Sequence, residues 1–92
     1  MPNISLARHL YRFFPDLEGQ DIEVDAATAA EVISELEKIA PGFGFYICDE
    51  TGHMRPHVNI FVEDELIVDR KRLSDHVKPE SKVYIMQALS GG

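Results

Sequence analysis

The stretch whose chemistry is plainest is the last one, Leu89-Ser90-Gly91-Gly92. A glycine inside a chain supplies a turn or a cap, but a glycine pair at the end of the sequence turns nothing. It offers a slim, flexible arm that carries a carboxylate with no side chain beside it. Such an arm can enter a narrow active site and approach a nucleotide closely. The competing reading of a Gly-Gly terminus is a frayed chain end. Other reactive types are scattered. Cys48 lies in an apolar run, which favours a buried small hydrophobe over a thiol nucleophile. His53 and His57 have ligand-like spacing, but Pro56 breaks any helix between them and no cysteine pair completes a tetrahedral site. The acidic groups Asp49-Glu50 and Glu63-Asp64-Glu65 read as solvated turn residues, and Arg70-Lys71-Arg72 as a solvated loop. No glycine-rich phosphate loop is present.

The bulk numbers narrow the function classes. Ninety-two residues make one domain, and 45% hydrophobic residues supply a single small core without a deep enzyme cleft. Sixteen acids against nine bases give a net charge of −7. That disfavours nucleic acid and anionic membranes, which reward clustered Lys and Arg, and suits a basic partner surface. A lone cysteine fits a reducing cytoplasm. No apolar run is long enough to span a membrane, and no signal-peptide h-region is evident.

The elements that would position the arm follow from pattern. Asn3 to Leu10 alternates as a first strand, with Arg8 interrupting its apolar face. Phe13 to Gln20 has turn chemistry, and 21–24 reads as a returning strand. Thr28 followed by Glu31 has the form of a capping box. Ala29, Val32, Ile33, Leu36, Ile39 and Ala40 form an apolar stripe on a helix of about 28–40, which Pro41-Gly42 ends. Phe43 to Cys48 reads as a short strand or a packed extension, and Asp49 to Gly52 as a turn. Val58, Ile60 and Val62 mark the apolar face of another strand; a tight acidic turn and Leu66-Ile67-Val68 follow. In the polar connection 69–82, Leu73 and Val77 reach the core. Val83 to Met86 is the final strand, running directly into the arm. One helix with a handful of strands buries its stripe across one face of a mixed sheet. The expected fold is therefore α+β, a β-grasp of four to five strands, with a flexible tail at about 88–92.

On these residues the chain resembles the ubiquitin-like sulfur carriers: the molybdopterin synthase small subunit, the thiamine-pathway carrier and the cysteine-pathway carrier. Glu50 to Val62 is similar to the family's turn and central strand, with Arg55-Pro56-His57-Val58-Asn59 the most specific marker and closest in type to the cysteine-pathway subgroup. Thr28 with its helix and Pro41-Gly42 matches the helix and its stop, and 83–92 the last strand and tail. One departure is Gln87-Ala88-Leu89, where the subgroup usually has Pro-Ala-Val; Gln87 leaves an extra backbone donor and a freer φ.

The resemblance implies that a ubiquitin-activating-type enzyme, using its own ATP and Mg²⁺, adenylates the Gly92 carboxylate. A sulfur donor then yields a thiocarboxylate, which a sulfur-accepting synthase consumes. The chain itself is not an enzyme and binds no cofactor or metal. Gly91, Ser90 and Leu89 would thread the partner's tunnel, where a Cβ on either terminal glycine obstructs passage. With Val58, Ile60 and Val62 turned to the helix, Phe61 faces outward and is joined by Tyr84 and Met86 as an aromatic–Met partner patch. Two alternatives use the same residues: a protein modifier conjugated through Gly92, and a non-covalent β-grasp interaction domain.

Overall fold

The computed structural model describes residues 1–19 and 21–87. A five-stranded mixed sheet carries the fold, built from β1 (Asn3–Leu6), β2 (Ile22–Glu23), β3 (Val58–Val62), β4 (Glu65–Leu66) and β5 (Lys82–Gln87) in the spatial order β2-β1-β5-β3-β4. The first and last strands lie side by side in parallel, with Ile4 opposite Val83 and Leu6 opposite Ile85. The other pairings are antiparallel, including Ile60 opposite Ile85 across β3 and β5. The strand that leads into the Gly-Gly arm is thus the middle of the sheet.

Helix α2 (Ala29–Ile39) covers one face. Its stripe interdigitates with the inward residues of the strands, so that Val32, Leu36, Ile60, Val83 and Ile85 are all at most 1% exposed. Ile39 departs from the expected stripe and stands 39% exposed at the helix end. The Thr28 hydroxyl accepts from Glu31 N at 3.2 Å, which caps the helix start. The return bond of the capping box is displaced by one residue, since the Glu31 carboxylate accepts from Ala27 N at 2.7 Å. Two further amides of the first turn, on Ala29 and Ala30, donate to the carbonyls of Asp75 and Leu73. The polar connection therefore closes off the helix while Leu73 and Val77 enter the core.

Two sequence expectations fail locally. The first strand stops at Leu6, and Leu10 begins a one-turn helix, α1 (Leu10–Phe13), followed by a 3₁₀ turn over Pro15–Leu17. Leu6 and Leu10 are both buried, so alternation and helical spacing gave the same apolar pattern over this short window. Of the two readings of Phe43 to Cys48, the short strand does not form and the packed extension does, as a helix. Phe43–Ile47 forms helix α3, with Phe43 and Ile47 fully buried one turn apart. Gly42 makes the corner between α2 and α3 at φ 98°, a backbone that side chains strain to adopt. The Glu37 carboxylate fixes that corner by accepting from Gly42 N at 2.9 Å and Gly44 N at 2.7 Å.

The acidic turn between β3 and β4 is a two-residue hairpin loop, because Val62 pairs with Glu65. Both loop residues are left-handed, Glu63 at φ 52° and Asp64 at φ 69°, as the twist of a tight hairpin demands.

Candidate functional site: the root of the tail and the outer sheet face

Gly92, Gly91, Ser90 and Leu89 lie outside the described residues, and the site is built from what leads up to them. On the β1 side the ladder of β5 ends where Ala7 N donates to the Ile85 carbonyl at 2.9 Å. On the β3 side it continues, with Met86 opposite Asn59 and Gln87 opposite Val58. Strand alternation puts Gln87 on the same face as Val83 and Ile85. There its side-chain oxygen accepts a hydrogen bond from the Tyr46 hydroxyl of α3. The Tyr46 ring is itself held by neighbours, with Phe13 and Phe14 centroids at 5.5 and 5.4 Å. Sequence reasoning noticed Gln87 but not Tyr46, because a strand reading of Phe43 to Cys48 gives no reason to bring α3 beneath the end of β5.

The opposite face of the sheet presents the expected outward residues. Tyr84 is 40% exposed and faces Phe61 across β3 and β5, with ring centroids at 6.4 Å. Phe61 and Met86 are half-buried on this face and do not lie under the helix. One member was missed. Leu66 lies directly opposite Phe61 on β4 and is 49% exposed, so Tyr84, Phe61 and Leu66 form a row across three strands. A two-residue turn at Glu63-Asp64 could have located Leu66, since it sets Leu66 opposite Phe61 and a residue paired with an outward one must itself point outward.

Other candidates resolve into structural roles. Arg70 is no free basic residue. Its guanidinium donates to the carbonyls of Arg55 at 2.7 Å, Val58 at 2.8 Å and Pro56 at 3.3 Å, and to Asn59 Oδ1 at 3.3 Å. It staples the loop before β3, whereas Lys71 and Arg72 are exposed. Asp49 caps its own turn by accepting from Thr51 N, Thr51 Oγ1 and His53 N, and these bonds hold its carboxyl below the usual range. Cys48 is half-buried rather than buried, and desolvation, reinforced by the Asp49 charge, pushes its thiol up. That disfavours the thiolate a nucleophile needs. His53 and His57 are exposed, and the described residues hold no group of three metal-ligating side chains. No helix among the described residues is long and apolar enough to cross a membrane.

A mixed sheet with parallel outer-sequence strands at its centre, grasping one main helix, is the ubiquitin-like β-grasp, and the chain has that fold. Its resemblance to the ubiquitin-like sulfur carriers holds in three dimensions. CysO of Mycobacterium tuberculosis superposes at TM-score 0.80 with 26% identity, covering 97% of this chain and 100% of that one. CysO in the Amycolatopsis orientalis BexX/CysO complex gives 0.83 with 24% identity over the full length of both chains. The small archaeal modifier protein SAMP1 of Haloferax volcanii gives 0.73 with 18% identity over 99% of this chain and 98% of that one. These neighbours are ubiquitin-like sulfur carrier or modifier proteins. No protein-family model and no curated protein matches the sequence, so the likeness is carried by structure.

Proposed function

We propose that this chain is a sulfur carrier protein charged at its C-terminal carboxylate. A partner enzyme joins the Gly92 carboxylate to AMP with release of pyrophosphate. A sulfur donor displaces AMP from the acyl-adenylate and leaves a thiocarboxylate, which a second enzyme uses as a sulfide donor in cofactor or metabolite synthesis. The observation that carries this reading is that the central strand of a β-grasp sheet runs, at Gln87, into Ala88-Leu89-Ser90-Gly91-Gly92. Activation is needed because a carboxylate anion resists nucleophilic attack, and ATP with Mg²⁺ belongs to the adenylating partner. The chain contributes the carried group and surfaces for docking. The row of Tyr84, Phe61 and Leu66, with Met86 beside it, is the surface proposed to meet a partner. The CysO structure that contains a second protein, BexX, supports a docked mode of action.

A second reading is conjugation of Gly92 to a lysine of another protein, favoured by the modifier name that SAMP1 carries. ATP–pyrophosphate exchange with the adenylating enzyme of the source cell tests what the two share: Gly92 supports exchange, and one residue added after it abolishes exchange. Exchange that survives the extension overturns both. Given sulfide, the carrier forms a thiocarboxylate, whereas the modifier appears linked to lysines.

A further inference from the structure

We infer that Tyr46 is a positioning residue for adenylation of Gly92: through its hydrogen bond to Gln87 it holds the end of β5, the strand that leads into the tail. The inference rests on the carrier reading above. Beyond Ile85, β5 has lost its β1 neighbour and keeps only the ladder to β3. A strand end with one ladder neighbour frays readily, and the five residues that carry the chain on to Gly92 start from that end. The Tyr46 hydroxyl supplies a second tie from the other direction. It can do so because its own position is fixed at every level. Phe43 and Ile47 anchor α3 in the core, the Glu37 carboxylate holds the α2–α3 corner, and Phe13 and Phe14 pack against the Tyr46 ring. Nothing else the described residues do requires that hydroxyl, since the ring packs without it.

The test is a double-mutant cycle of Tyr46→Phe and Gln87→Met, with the adenylating enzyme of the source cell and the full chain as carrier substrate. Pyrophosphate exchange gives KM and kcat for each carrier. Tyr46→Phe should raise KM roughly three- to tenfold with kcat unchanged, the scale of one neutral hydrogen bond. Gln87→Met should do the same, and the pair should be no worse than either alone. Amide exchange at Met86, the last hydrogen-bonded partner of β3 in the strand, should quicken in Tyr46→Phe while Ile85 stays protected. An unchanged KM in Tyr46→Phe, multiplying effects in the pair, or unaltered amide exchange overturns the inference and leaves the carrier reading standing. A wild-type chain that is not adenylated at all sinks both.

Discussion

The Arg70 guanidinium is tied to two backbone carbonyls in the loop ahead of β3, those of Arg55 and Pro56, and to that of Val58 at the start of β3, and these carbonyls lose their donor if it is removed. Charged hydrogen bonds of this kind are worth more than neutral ones, so Arg70→Met should lower unfolding free energy by about 2–3 kcal/mol in urea titration. Lys71→Met and Arg72→Met, on exposed side chains, should stay within about 0.5 kcal/mol. The triplet Arg70-Lys71-Arg72 reads as uniform in sequence because nothing local says which arginine turns inward.

Asp69 makes a separate, pH-dependent contribution. Its carboxylate accepts from Ser74 Oγ at 2.6 Å and from the amides of Arg72 and Lys71, which lowers its pKa from 3.8 to about 2. A depressed acid stabilises the fold fully above its unfolded value, and that stability is lost as pH falls toward the folded one. Wild type should therefore lose stability between about pH 4 and 2, and Asp69→Asn should lose less over that window in thermal melts. A wild-type-like slope in the variant contradicts this assignment.

At the scale of elements, the junctions hold the information that pattern reading could not supply. Helix α2 and the β3–β4 hairpin were legible because each has a long periodic signal or a tight turn between alternating runs. The one-turn helices α1 and α3 were not. Each spans too few residues for a period to show, and their apolar side chains suit a strand equally well. What decides for α3 is tertiary, since the Glu37 carboxylate satisfies amides at its start. The tail was legible as residue types, while the tie at its root was not, because Tyr46 and Gln87 meet only through the fold.

Gly42 tests the same corner. An added Cβ meets nothing within 4 Å, so Gly42→Ala carries only the backbone cost of φ 98° and should destabilise by about 1–2 kcal/mol. At the hairpin, Asp64→Gly should be neutral to slightly stabilising, by up to about 0.5 kcal/mol, because glycine takes φ 69° without strain. Both follow from chemical denaturation midpoints at constant m.

At the scale of the molecule, the two faces of the sheet differ in what covers them. The helix-side face is sealed by α2, while the outer face exposes Tyr84 and Leu66 around Phe61. Tyr84→Ser should leave the melting temperature nearly unchanged and raise KM with the adenylating partner several-fold, as for an aromatic anchor at an interface. An unchanged KM would move docking off this face. The central claim, however, concerns the end of β5. Its most direct test is the intact mass of the untagged protein isolated from its native cell, followed by mapping of the peptide that ends in Gly92. The carrier account predicts a mass gain equal to one oxygen replaced by sulfur, confined to that peptide. A peptide that remains unmodified even after incubation with the adenylating partner, ATP and a sulfide source would contradict it.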